Sequence, residues 1–311
     1  MKVAVLIPCY NEALAIRQVV QDCKKYLPKA EVYVYDNNST DNTVQIAKKA
    51  GAIVRREFHQ GKGNVVRRMF AEIEADIYVM IDGDATYDVA SVPQMIKKLV
   101  DENLDMVTGV RKSQAMEAYR AGHEFGNKLM TRIVHLFFGR YTNDMLSGLR
   151  VFSRRFVKSY PANARGFEIE TELTVFSSSM RLPVADYDTP YYARPEGSAS
   201  KLSTFKDGWR ILKMIGILIK EEKPLLFFGL GAVALAILSV ICAIPVIIHY
   251  FETGLVPRFP TAILSMGLML CAVLSMTVAL ILDTVSKSRT EQRRMRYLSV
   301  PLYQKAKGSK K

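Results

Sequence analysis

Short apolar runs alternate with longer amphipathic stretches through the first third of the chain. The runs at 2–8, 31–36, 52–55, 77–81 and 105–109 predict strands, and the stretches at 12–26, 40–50, 61–74 and 92–102 predict helices. Strand and helix in strict alternation is the pattern of βαβ units. It predicts an α/β, Rossmann-like domain whose mostly parallel sheet carries helices on both faces. Further along, the periodicity predicts a helix near 116–138, a short strand at 149–153, a helix near 167–180 and a strand at 184–187. Sheets of this kind hold ligands in the crevice at the carboxyl ends of their strands. The residues that close each apolar run are therefore where chemistry is expected.

The pattern then changes. In 204–222, Phe205, Trp209, Leu212, Ile215 and Leu218 recur at helical spacing, with Lys206, Arg210, Lys213 and Lys220 between them. This predicts an amphipathic helix, packed on its own domain or lying in a membrane interface. Residues 224–250 and 259–282 contain no Asp, Glu, Lys or Arg, and each run exceeds the roughly 20 residues that span a bilayer as helix. Separated by a short loop, they predict a two-helix transmembrane hairpin. With no acidic, Lys or Arg residue inside, the pair suits an anchor or a lipid groove better than a transport path.

Charge sharpens this picture. The net charge of +13 is concentrated in the last residues, where 286–311 hold nine Lys or Arg against one Glu. A basic segment just beyond an apolar span fits the anionic cytoplasmic leaflet better than nucleic acid, so a lipid bilayer is the expected partner. The chain opens directly into an apolar strand without signal-peptide layout. The expected organisation is a cytosolic catalytic domain at 1–203, an interfacial helix at 204–223, a hairpin at 224–283 and a basic, partly ordered cytosolic tail at 284–311. The protein is expected in the inner membrane as a multi-pass protein with both termini in the cytosol, and short anchors of this type suit a homo-oligomer. The four cysteines show no metal-ligand spacing.

Three predicted strands end in polar residues. The first leads into Pro8, Cys9, Tyr10, Asn11 and Glu12; the second into Asp36, Asn37 and Asn38; the fourth into Asp82-Gly83-Asp84. Carboxylates gathered at one sheet edge repel and call for a cation. Asp82 and Asp84 flank a small residue and suit a hard divalent ion, Mg²⁺ or Mn²⁺, shared with phosphate oxygens. An isolated Asp-Gly turn explains one such motif but not three polar strand ends together. Gly61-Lys62-Gly63 opens a helix and is a candidate nucleotide edge. No dinucleotide fingerprint and no phosphate-binding P-loop motif occurs, which disfavours hydride transfer and P-loop hydrolysis.

Taken together, IPCYNE at 7–12, the Asp36-led DNNSTDNT and the Asp82–Asp84 motif resemble family 2 glycosyltransferases of the GT-A fold. Asp144-x-x-Ser147-Gly148-Leu149-Arg150, and Arg194 followed by Ser200-Lys201, resemble segments of dolichol-phosphate mannosyltransferases and other polyprenyl-phosphate glycosyltransferases. The resemblance implies inverting, metal-dependent transfer from a nucleotide sugar, UDP-linked by preference, to a polyprenyl phosphate. It assigns Pro8, Tyr10, Asn11, Glu12, Asp36, Asn38, Lys62, Asp82 and Arg111 to the nucleotide sugar, and Asp82 and Asp84 to the metal. Ser147, Arg150, Arg194, Ser200 and Lys201 fall to the lipid phosphate or diphosphate. Asp84, Asp144 and Arg150 form the catalytic set, with Asp144 as base or as a partner of Arg150. Thr86 stands where relatives carry a Gln metal ligand, with Asp88 nearby, so the third ligand is open. Glu168, Glu170 and Glu172 form a further acidic set, of which 168 and 172 share a helical face. The rival functions are transfer to a lipid hydroxyl and a catalytically silent nucleotide-sugar sensor.

Overall fold

The computed structural model describes residues 1–113, 132–139, 142–195 and 204–301. In chain order the elements are β1 (Val3–Cys9), α1 (Ile16–Tyr26), β2 (Glu31–Asp36), α2 (Thr43–Lys49), β3 (Ile53–Arg56), α3 (Lys62–Glu72), β4 (Ile77–Met80), α4 (Val92–Asp101) and β5 (Met106–Ser113). They continue with β6 (Arg150–Ser153), α5 (Arg154–Ser159), α6 (Ile169–Ser179), β7 (Val184–Tyr191), α7 (Thr204–Glu222), α8 (Pro224–Thr253) and α9 (Phe259–Ser299). Residues 132–138 are also helical. The remainder of the helix expected near 116–138 lies outside the described residues, as do Ser200 and Lys201.

One seven-stranded sheet runs in the order β3-β2-β1-β4-β6-β5-β7. β6 is antiparallel to both neighbours, and every other pairing is parallel. Alternate residues of β1 serve opposite faces. Ala4 and Leu6 join one apolar layer with α3, α5 and α6; Val5, Ile7 and Cys9 join the other with α1, α2 and α4. A strand buried on both sides must be apolar throughout, which is why these runs were legible as continuous rather than alternating. The chain reverses its direction of winding at β1 and β4, whose carboxyl ends therefore border the crevice.

Two compact units divide the chain. Residues 1–215 and 293–311 form one, and 216–292 the other. The second contains two helices long and apolar enough to cross a membrane, Pro224–Thr253 and most of Phe259–Ser299. The basic segment is more ordered than its composition suggested: α9 runs unbroken to Ser299. Tyr297 then packs on the apolar layer beneath α3, α5 and α6, the same layer that Met214 meets before the apolar helices begin. Its hydroxyl donates to Asp105 at 2.6 Å, and the Arg155 guanidinium lies over its ring at 4.7 Å. Packing of one aromatic residue converts an expected tail into a docked helix end.

Candidate active site

The carboxyl ends of β1 and β2 are joined by their own side chains. The Asn11 amide oxygen accepts from the Thr40 N–H at 2.7 Å, and the Ser39 hydroxyl accepts from the Asn11 N–H at 2.9 Å. Asp36 accepts from the Ser39 N–H, and the Thr43 hydroxyl accepts from the Glu12 N–H at 2.8 Å. Asn38 donates to the Phe58 carbonyl and accepts from Arg56. Pro8 lies within β1 and Tyr10 is exposed beside it. Asn11, Asn38 and Ala85 all adopt left-handed backbone, with φ of 53°, 66° and 59°. Strained residues at three adjacent strand ends mark a place where geometry is held by its surroundings.

Asn37, one of the polar residues closing the second strand but assigned no role there, ties this edge to the next loop. It donates to the carbonyls of Glu57 and His59 and accepts from the Gly61 N–H at 2.7 Å. Gly61 and Gly63 are needed for packing. A Cβ on either would stand 2.2 or 2.3 Å from the carbonyl oxygens of Arg165 or Ala164.

Lys62 thereby enters the sheet edge from the side. Its ammonium lies 2.5 Å from Asp82 Oδ1 and 2.5 Å from Glu170 Oε1, on the first turn of α6. Burial by itself would lower the Lys62 pKa; the two carboxylates outweigh it and hold the ammonium charged, above its ordinary value. Burial pushes the Glu170 carboxyl up, and Lys62 opposes that shift. On its other side Asp82 Oδ2 lies against Gly148, where a Cβ would come within 2.2 Å. The glycine of the 144–150 segment is therefore fixed by the close approach of Asp82.

Asp84 is oriented differently. Its Oδ1 accepts from the Thr86 hydroxyl at 2.7 Å, and its Oδ2 from Arg194 at 2.7 Å. The loop after β7 brings Arg194 there because the Tyr192 N–H donates to the Thr86 carbonyl. Thr86 thus orients Asp84, and Asp88 accepts from Ser91 in the turn before α4. Two hard carboxylates on one short turn fit Mg²⁺ or Mn²⁺ held jointly with phosphate oxygens and water. Among the described residues no group of three or more His, Cys, Asp or Glu comes together to hold a metal.

The 144–150 segment departs from expectation. Asp144 takes a two-pronged ion pair from Arg111, at 2.6 and 2.7 Å, rather than pairing Arg150. Arg111 also lies over the Tyr191 ring. Arg150 is fully buried. Its guanidinium donates to the carbonyls of Ser147, Met145 and Glu170 and to the Thr174 hydroxyl. Ser147 is buried too, donating to the Gly109 carbonyl. In this arrangement Arg150 and Ser147 shape the loop beneath the site and do not reach a phosphate. Glu168 and Glu172 likewise hold backbone, Glu168 through the N–H groups of Arg165 and Gly166, and Glu172 through those of Asn163 and Ala164 and the Tyr160 hydroxyl. Glu170 alone of the three points to the site. No local spacing announces a salt bridge between residues so far apart in sequence.

A carboxylate pair at the switch point of a mixed, mostly parallel seven-stranded sheet is the architecture of a GT-A-like fold. Residues 4–160 match Glycosyl transferase family 2, and the chain belongs to that family. It is 34% identical over 229 residues to glycosyltransferase AglJ of Haloferax volcanii, covering 73% of this chain and 75% of AglJ. To the dolichyl-phosphate hexose transferase of the same organism it is 28% identical over 221 residues, covering 71% and 95%. Among solved structures it resembles Mycobacterium tuberculosis glucosyl-3-phosphoglycerate synthase in complex with Mn²⁺, UDP-glucose and phosphoglyceric acid. That likeness has a TM-score of 0.57 at 22% identity, over 68% of this chain and 77% of the other.

Proposed function

We propose that the protein transfers a sugar from a nucleoside-diphosphate sugar to a polyprenyl phosphate at the cytosolic face of the membrane, with inversion. One arrangement carries this reading: two partly open cations, Arg194 on Asp84 and Arg111 on Asp144, in a chain that also contains two apolar helices of spanning length. The dolichyl-phosphate relative supports the acceptor class, and the UDP-glucose-bound neighbour supports the donor class. Met214 and Tyr297 flank the apolar helices and pack on the same layer. A segment that leaves and rejoins one domain crosses the bilayer an even number of times, so the spans begin and end on one side. Trp209 and Leu212 stay exposed on α7, in keeping with a helix lying in the interface.

The chemistry follows from charge. A phosphomonoester has its second pKa near about 6, so the acceptor is largely a dianion at neutral pH and has no proton to surrender. One acceptor oxygen attacks the sugar anomeric carbon, the carbon–oxygen bond to the diphosphate breaks, and the nucleoside diphosphate departs with that electron pair. The product is a phosphodiester with one charge fewer than the acceptor; the leaving group gains it. Asp82 and Asp84 would hold Mg²⁺ or Mn²⁺, which would supply positive charge to the departing diphosphate. Arg194, on Asp84, and Arg111, on Asp144, are placed to offset repulsion between two phosphates. Asp144 orients Arg111, and its ion pair leaves a base role without purpose. That disfavours a lipid-hydroxyl acceptor, which needs a base.

Purified protein incubated with undecaprenyl phosphate, Mn²⁺ and a panel of UDP- and GDP-sugars tests this. Nucleoside diphosphate should be released only with the lipid and one donor. In Asp84→Ala, release should fall by about a thousandfold with the thermal transition retained. Unimpaired release in that variant, or none in wild type with any donor, contradicts the proposal.

A further inference from the structure

We infer that Glu170 is a positioning residue for the Asp82 carboxylate, acting through Lys62 to keep that carboxylate available to a divalent cation. The inference rests on the metal-dependent reading above. It arises from an arrangement that reading does not require: a buried acid on α6 sharing one ammonium with an acid at the site.

The trio is asymmetric. The Glu170 side chain is 5% exposed and that of Lys62 9%, whereas Asp82 is open to 27%. Glu170 is anchored from behind, since its own carbonyl accepts from Arg150 and from the Thr174 hydroxyl. Asp82 is bonded by Lys62 at Oδ1 and lies close against Gly148 on its Oδ2 side. An ammonium 2.5 Å from Asp82 alone would neutralise it and compete with any metal for its lone pairs. Glu170 draws on the same ammonium from the opposite side. With two carboxylates and one ammonium the trio keeps a net charge of about −1, which is that of an isolated aspartate. Asp82 thus gains a fixed orientation without losing its attraction for a cation. Glu170 never needs to touch metal, donor or acceptor.

The consequence is specific. In Glu170→Gln the whole ammonium charge falls on Asp82, and Mn²⁺ affinity should drop by about tenfold, the lower end of the effect of a close opposite charge. The affinity is read by electron paramagnetic resonance of Mn²⁺ with UDP present and lipid absent. In turnover the Mn²⁺ concentration for half-maximal rate should rise in parallel, while kcat at saturating Mn²⁺ changes little. Glu172→Gln, which disturbs the loop at 163–164 and the Tyr160 hydroxyl, should leave Mn²⁺ affinity unchanged even where it lowers the thermal transition. In a Lys62→Met background, Glu170→Gln should no longer weaken Mn²⁺ binding, because its effect runs through the lysine. Where Glu170→Gln does not fold, Glu170→Asp withdraws the carboxylate from Lys62 and reads the same shift in the same direction.

Wild-type Mn²⁺ affinity in Glu170→Gln overturns the inference, as does an equal loss in Glu172→Gln or a loss that persists without Lys62. Wild-type protein that binds Mn²⁺ and UDP but transfers nothing to lipid phosphate overturns the acceptor reading alone, and the Glu170 comparison stands apart from it.

Discussion

The floor of the site and its rim are built from the same residue types and act in opposite ways. On the floor, Arg150 is fully buried and Lys62 nearly so, and their charges are spent on carbonyls and carboxylates of the protein itself. On the rim, the Arg111 and Arg194 side chains are 14% and 25% exposed, each paired with an aspartate at the opening. A cation enclosed by backbone carbonyls fixes a loop and cannot leave it. One paired at the surface of a crevice can exchange its carboxylate for a phosphate. Position rather than residue type separates scaffold from machinery here.

The largest effect expected from this contrast is on stability. Arg150→Met takes the guanidinium donor from the carbonyls of Met145, Ser147 and Glu170, the last of which keeps only the Thr174 hydroxyl among its side-chain donors, and chemical denaturation should show a loss of about 3–5 kcal/mol. Arg150→Lys should not rescue it, because one ammonium cannot replace a planar fork. A folded, stable Arg150→Met that merely binds lipid phosphate poorly would erase the distinction between floor and rim. Next comes Arg194→Ala. Transfer should fall by about a hundredfold, as for loss of one preorganised donor to developing charge, with the thermal transition nearly unmoved.

Smaller again is Asp144→Asn, for which the account expects a rate loss of about tenfold, well short of the loss general-base removal would give. A loss of several orders of magnitude would point to a proton taken from a hydroxyl acceptor. The smallest effect lies far from the rim. Burial holds the Asp105 carboxyl above its ordinary value, against the hydrogen bonds it accepts from Ser153 and Tyr297 and the charge of Arg155, all of which pull it down. An acid whose pKa is raised by folding binds its proton more tightly in the folded state. Stability should therefore grow as pH falls through the raised value and level off below the ordinary one, about 3.9. Asp105→Asn should lose that increment in thermal transitions measured against pH.

What the sequence revealed, and what it hid, follows the same division. The ends of β1, β2 and β4 were legible because buried parallel strands are continuous apolar runs, and whatever polar residues stop them stand at the crevice. Asp82, Asp84 and Asn11 were found that way. The 144–150 segment showed its residue types but not their direction. Arg150 heads an antiparallel strand opposite Met80 and Thr108, and only that register, with α6 packed above, turns it inward. Glu170 was visible as one of three glutamates, yet its pairing with Lys62 depends on the loop at 164–166 closing on Gly61 and Gly63. Tyr297 sits in a stretch whose basic composition suggested solvent, and a single ring packed beside Arg155 decides otherwise.

The central claim is that the acceptor is already an anion and needs cations rather than a base. Single-turnover transfer from one donor sugar to a polyprenyl phosphate, compared with the corresponding polyprenol under the same conditions, tests it most directly. The account predicts transfer to the phosphate alone, lost in Arg194→Ala and largely retained in Asp144→Asn. Equal or faster transfer to the alcohol, abolished in Asp144→Asn, would contradict it.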